Sequence, residues 1–122
     1  SGMNLLVDTN ILLYLLNGDE KISTILSQSV VHISFITELE LLCYPNLKEK
    51  ESAAIHSLLA ESKIYDINSQ IKKNCIKIRK AYGLKLPDAI IGATALSFNL
   101  TLFSNDSDFQ RIKEIDTVNY QV

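Results

Sequence analysis

The stretch Asn4-Leu5-Leu6-Val7-Asp8-Thr9-Asn10-Ile11-Leu12 decides the fold. Residues 4–7 are short and mostly apolar, and Asp8 closes them, which is the pattern of a buried strand. Residues 9–16 follow without a break, read as a helix, and end at Asn17-Gly18. A buried strand that passes straight into a helix starts an alternation that the rest of the chain keeps. A second helix covers 20–28. The β-branched run 30–34 is a second strand. Ser34 can cap a helix that runs through Glu38 to Cys43 and stops near Pro45. Residues 47–61 carry Ala54, Ile55, Leu58 and Leu59 on one side and read as another helix. Residues 63–67 are a short third strand.

The next helix is capped by Asn68 or Ser69. Its apolar positions, Ile71, Cys75, Ile78 and Tyr82, step by four, three and four, the period of an amphipathic helix, and Gly83 ends it. Pro87 then stands where a helix favours its first residue. The helix 87–98 is apolar almost all round (Ala89, Ile90, Ile91, Ala93, Ala95, Leu96, Phe98), so it is buried in the core or against a second chain. Residues 101–104 make a fourth strand and 118–121 a possible fifth. Strands alternating with helices imply an α/β fold, a mostly parallel sheet of four or five strands covered by helices on both faces.

A length of 122 residues fits one domain. Ser1 and Gly2, ahead of Met3, read as a cloning scar, which leaves 3–122 as a single domain. Hydrophobic residues make up 47% of the chain and can supply a core. The longest apolar run, 11–16, is six residues, far below the roughly 20 of a membrane span. No charged segment leads into an apolar one as in a signal peptide, and a cytoplasmic protein is expected. Cys43 and Cys75 belong to no CxxC pair or Cys/His cluster, so both are expected to be buried free thiols. A net charge of −2 argues against gripping nucleic acid by bulk charge. Half of the basic residues nevertheless fall in one stretch: Lys72, Lys73, Lys77, Arg79, Lys80 and Lys85.

In an open parallel sheet, ligands bind outside the carboxyl ends of the strands. Asp8 ends the first strand, Asp106 lies two residues past the fourth, Glu38 lies early in the helix after the second, and Asp88 opens the buried helix. Each acid has a bland explanation. Asp8 and Asp106 could cap helices, Asp88 could complement a helix dipole, and Glu38 could be a solvated helix residue. Together they are harder to dismiss. Asp8 and Asp88 adjoin strongly apolar segments, where a lone charge needs a partner or a metal. Several carboxylates at one edge repel unless a cation sits between them, and oxygen ligands without Cys or His suit Mg²⁺ or Mn²⁺.

At these residues the chain resembles the PIN-domain family. Leu6-Val7-Asp8-Thr9-Asn10 is similar to its first motif, and Ser34 through Thr37-Glu38-Leu39 to its second acidic motif. Leu86-Pro87-Asp88-Ala89-Ile90-Ile91-Gly92-Ala93-Thr94-Ala95 resembles the third, an Asp opening an Ala-rich helix. Leu102-Phe103-Ser104-Asn105-Asp106-Ser107-Asp108-Phe109 resembles the fourth, with Ser104 where Thr is usual. The order and spacing of all four match over nearly the whole chain. The resemblance implies a metal-dependent ribonuclease on a PIN-like three-layer sandwich. The small size is most like the VapC-type toxins, typically homodimers held inactive by a small antitoxin.

On this reading Asp8, Asp88 and Asp106 are the main metal ligands. Glu38 is a ligand or orients a bound water. Thr9, Asn10 and Ser104 are candidates to fix the carboxylates by hydrogen bonds, although Asn10 could equally be an ordinary helix residue. Asp108 either supports the pocket or caps the turn before Phe109. Lys73, Lys77 and Lys80 form a stripe that is either a solvated face or a contact for the RNA backbone. His32, His56, Tyr14 and Phe35 are expected to be structural. Two rivals belong to other classes. One is a PIN fold that binds RNA or protein without cutting. The other is a phosphotransfer fold, which would need a Lys near the end of a late strand. The chain has none between Lys85 and Lys113.

Overall fold

Leu5 and Val7 pack on one side of the sheet and Leu6 on the other, so the first strand is buried on both faces. That is the condition of a central strand in a parallel sheet. The structure, a computed structural model, describes residues 2–121. Five strands form one sheet in the order β3-β2-β1-β4-β5, and each pairing is parallel. They are β1 (Met3–Val7), β2 (Ser29–Ser34), β3 (Lys63–Tyr65), β4 (Thr101–Ser104) and β5 (Thr117–Asn119). The helices are α1 (Thr9–Leu16), α2 (Glu20–Ser27), α3 (Phe35–Leu42), α4 (Glu49–Glu61), α5 (Ser69–Tyr82) and α6 (Leu86–Phe98). A 3₁₀ turn, Ser107–Arg111, lies between β4 and β5.

The helices cover the sheet from both sides, as expected. Leu5, Val7, Ile33 and Phe103 meet Ile11, Ile22, Leu41, Ile55 and Leu59 of α1 to α4. Leu6 and Leu102 meet Ile71, Ile78, Ile91 and Ala93 of α5 and α6. The start and stop signals act where the sequence places them. Ser34 caps α3, Asn68 caps α5, and Gly83 ends α5 in the left-handed region at φ 66°. One expectation is overturned. Cys75 is buried but Cys43 is exposed, because it follows the last residue of α3, two positions past the buried Leu41, where the chain turns outward.

The strand order places the site. From β1 the chain first builds outward through β2 and β3, then returns across the sheet to add β4 on the other side. Loops leaving β1 and β4 therefore diverge to opposite faces and open a crevice between their C-terminal ends. Asp8 and Ser104 are the residues at those two ends, and the Asp8 backbone N–H donates to the Phe103 carbonyl at 3.0 Å.

Candidate active site

Asp8 is fixed from two sides. Its Oδ1 accepts from the Thr9 backbone N–H at 2.8 Å, and its Oδ2 accepts from the Ser104 hydroxyl at 2.8 Å. Capping α1 and belonging to the site are thus one role, not alternatives. Ser104 Oγ also accepts the Asp106 backbone N–H at 3.0 Å, so one hydroxyl ties Asp8 to the turn that carries Asp106. Asp106 caps the 3₁₀ turn by accepting the Asp108 N–H at 2.9 Å. Asp88 is the third residue of α6, inside its first turn, where the helix N-terminus favours an anion.

Burial pushes the Asp8 carboxyl above the ordinary carboxylate range. The two hydrogen bonds pull the other way, and the charges of Glu40 and Asp106 add to the rise. Burial also raises the Asp88 carboxyl, with the charges of Asp8 and Asp106 adding to it, Lys85 opposing and Glu40 adding again. The acids at positions 8, 88 and 106 are therefore within electrostatic reach of one another, although they are up to 98 positions apart in sequence.

The acid that α3 brings to this group is Glu40, where the sequence reading names Glu38. The Thr9 hydroxyl donates to Glu40 Oε1 at 2.6 Å, and Thr37 Oγ1 lies 3.2 Å from the same hydroxyl. Thr37 and Leu41 form the buried stripe of α3. Two residues on a helix are about 200° apart, so Glu38 and Glu40 face nearly opposite ways. Glu40 is the one whose charge acts on Asp8 and Asp88. A buried Thr three residues ahead of a Glu, on a helix leaving a central strand, was the available signal.

Of the supporting residues, Thr9 and Ser104 make the hydrogen bonds expected of their type. Asn10 is exposed in the first turn of α1. Asp108 is exposed, and its carboxylate lies 3.9 Å from the Arg111 guanidinium. Tyr14 does more than fill space, because its hydroxyl accepts from Asn105 Nδ2 at 3.0 Å, next to Asp106. His32 is buried away from the acids. Its Nε2 lies 2.9 Å from Asn4 Oδ1 and its Nδ1 2.9 Å from the Tyr65 hydroxyl. His56 is exposed on α4.

Among the described residues, no three acids, histidines or cysteines stand close enough to enclose one ion directly. A hard cation that keeps part of its water shell, as Mg²⁺ does, needs only one or two direct carboxylates. The donors here are all oxygen, and two of the carboxyls are raised by burial first and by mutual repulsion after it, so their chemistry fits such an ion.

The PIN domain family matches residues 5–115, and the chain belongs to that family. Among solved structures it is similar to a toxin-antitoxin complex from Klebsiella pneumoniae, at 32% identity and a TM-score of 0.81, over 98% of this chain and 99% of that one. It is also similar to VapBC-1 from nontypeable Haemophilus influenzae, at 28% identity and a TM-score of 0.76, over 96% and 98% of the two chains. VapBC2 from Rickettsia felis, bound to a DNA fragment from its promoter, shares the fold at 22% identity and a TM-score of 0.85, over 98% and 100%. No curated protein matches significantly. The chain thus shares its family and its fold with chains found in toxin-antitoxin complexes. Among the described residues, no helix is long and apolar enough to cross a membrane.

Proposed function

We propose that the protein is a metal-dependent endoribonuclease, the toxin of a toxin–antitoxin pair, that hydrolyses phosphodiester bonds of RNA in the cytoplasm. The observation that carries this reading is the convergence of Asp8, Glu40, Asp88 and Asp106 at the crevice between β1 and β4. Asp8, Asp88 and Asp106, with Glu40, would hold Mg²⁺ or Mn²⁺. When bound, the ion supplies Lewis acidity toward the phosphate and eases ionisation of the attacking water. The chain's own residues fix the geometry. Ser104 and the Thr9 N–H lock both oxygens of Asp8, and the Thr9 hydroxyl sets the rotamer of Glu40. Glu40 is exposed beside the buried Asp8, so it is placed to accept a proton from water entering the crevice.

The test is cleavage of single-stranded RNA by the purified protein with Mg²⁺, with Mn²⁺ and with EDTA. Cleavage is expected with either metal and is lost with EDTA. Asp8→Asn and Asp88→Asn are each expected to abolish it while the circular dichroism spectrum is kept. Undiminished cleavage in both variants sinks the site assignment. RNA binding without cleavage in the parent protein instead makes this a non-catalytic PIN module.

The partners on this reading are a small antitoxin and a second copy of the chain. Leu39, Leu42 and Tyr44 are exposed at and just beyond the end of α3. Beside them Leu13, Leu16, Leu47 and Ile55 line a groove of about 130 Å³ between α1 and α4. Apolar surface of this kind marks a partner site. Sedimentation at micromolar concentration, with and without the product of the adjacent gene, is expected to show a dimer and a larger complex. A monomer that binds no such product overturns both.

A further inference from the structure

The charge of the protein is divided across its sheet. Residues 68–122 hold eight of the twelve Lys and Arg and five of the fourteen acids, so that half is net +3, while residues 1–67 are net −5. Much of the positive charge lies along one line. Ile71, Cys75 and Ile78 of α5 face the core. At about 100° per residue, Lys73, Lys77 and Lys80 fall within about 60° of one another on the opposite side, over a rise of about 10 Å. All three are exposed. Among the described residues the only ion pair is Arg111 with Asp108, so these lysines are not committed to carboxylates.

The line ends beside the acidic crevice. Gly83 turns the chain and α6 starts at Leu86, which puts Asp88 eight residues after Lys80. Lys85, in that connection, lies near enough to act on the Asp88 charge. The Arg111 guanidinium donates to the Tyr82 carbonyl at 2.6 Å, which fastens the 3₁₀ turn after Asp106 to the same end of α5. There Ile76, Arg79, Lys80 and Gly83 line a shallow concavity of about 400 Å³. A solvated helix face would carry lysines too, but nothing would require it to finish at this point. Away from a bound cation the acidic crevice repels phosphate, and positive groups beside it offset that repulsion for an approaching polyanion.

We propose that the line Lys73, Lys77 and Lys80 on α5 is a track that holds the sugar–phosphate backbone of single-stranded RNA flanking the scissile bond and leads it into the crevice. The track rests on the ribonuclease reading above. It contributes charge, not base readout, so it sets affinity and salt dependence and leaves sequence choice to other groups.

The test adds the Lys73→Gln, Lys77→Gln and Lys80→Gln substitutions together to the full chain carrying Asp8→Asn, which stops cleavage. Anisotropy of a labelled single-stranded RNA of about 20 nucleotides is read over a range of KCl. Three lost phosphate contacts should lower the slope of log K against log salt by about 2 and weaken binding by about tenfold or more. The same triple substitution in the active chain should raise KM by about tenfold and change kcat less than about twofold. Glutamines at Lys21, Lys48 and Lys50, across the sheet, should leave affinity and slope as they were. Unchanged affinity and slope in the α5 triple variant, or a fall in kcat with KM unmoved, overturns the track. If the parent cuts RNA and the α5 variant binds it normally, the track fails alone. If the track variant loses RNA binding but the parent cuts no RNA with metal, the nuclease reading fails and the track stands.

Discussion

Asp8, just past the end of β1, and His32, within β2, are both buried and both titratable, yet their surroundings are opposite in kind. The two ring nitrogens of His32 meet Asn4 and Tyr65, which are neutral, and the neighbouring charge is that of Lys63. Burial, with Lys63, lowers its pKa from 6.5, so the ring sits neutral and its hydrogen bonds are satisfied. Asp8 also has a partner for each oxygen, but Glu40, Asp106 and Asp88 add like charge around it. A polar group whose burial is compensated serves the fold. One whose burial is opposed by acidic neighbours is relieved by a counter-charge, which on the proposed reading is a cation. Hydrogen bonding alone does not separate the two; the sign of the surrounding charge does.

The largest expected effect tests who belongs to the acidic group. Glu40→Gln removes the charge that faces Asp8 and leaves only an amide oxygen to accept from the Thr9 hydroxyl. Loss of a partner that only supports a ligand costs about 10–100-fold in activity or metal affinity, and Glu40→Gln should cost at least that much. Glu38→Gln, about 200° round α3, should leave cleavage within about twofold. Equal losses in the two variants, measured as single-turnover RNA cleavage, would falsify the placement of Glu40.

The next effect is on stability and has opposite signs in the two regions. His32→Ala leaves the Tyr65 hydroxyl and the Asn4 carbonyl without their partner and opens a void in the core, at a cost of about 2 kcal/mol or more. Asp8→Asn keeps a side-chain oxygen for the Thr9 N–H and removes a repelled charge, so without metal the variant should unfold at the same or higher urea concentration. The pH dependence in EDTA follows the same division. His32 has a lowered pKa in the fold, so the unfolded chain binds its proton more readily. Its contribution is complete above about 6.5 and is lost as pH falls toward the lowered value. Asp8 and Asp88 have raised pKa values, so the folded chain binds their protons more readily. Their penalty is absent below about 3.8 and grows as pH rises through the raised values. Urea midpoints of the Asp8→Asn, Asp88→Asn double variant should therefore fall more steeply on acidification than those of the parent. A parallel pair of curves would show that the two regions do not differ.

How much of this was legible beforehand depends on what each feature needs. Asp8 needs only a strand end, Asp88 only a helix start after Pro87, and Asp106 only a turn after a strand, and each is a local pattern. The alternation of elements carries the parallel sheet in the same way. Glu38 and Glu40 share one short helix, and choosing between them requires its rotation, which is set by Thr37 and Leu41 packing against other elements. Cys43 turned on where α3 stops, a matter of one or two residues. The bond between Asn105 and Tyr14 spans 91 positions and leaves no local trace.

The smallest effect concerns Asp106, which stands between the two kinds of residue. It caps the 3₁₀ turn through its own Oδ1, a role that serves the fold, and its charge raises the carboxyls of Asp8 and Asp88, as a site residue's does. Asp106→Asn keeps a capping oxygen and removes the charge, so it separates the two roles. Without metal, relief of the repulsion should raise the melting temperature by about 2 °C, since about 0.5 kcal/mol over an unfolding entropy of about 2.1 cal/mol/K per residue gives that shift in a chain of 122 residues. With Mn²⁺ the order should reverse. A ligand that binds only the folded state stabilises by RT ln(1 + [L]/Kd), so a variant that binds Mn²⁺ ten times more weakly gives up about 1.4 kcal/mol of that gain at saturating metal. The two measurements, made by differential scanning fluorimetry in EDTA and in millimolar Mn²⁺, should cross. If Asp106→Asn gains as much from Mn²⁺ as the parent does, its carboxylate serves the turn alone, and the metal is left to Asp8, Glu40 and Asp88.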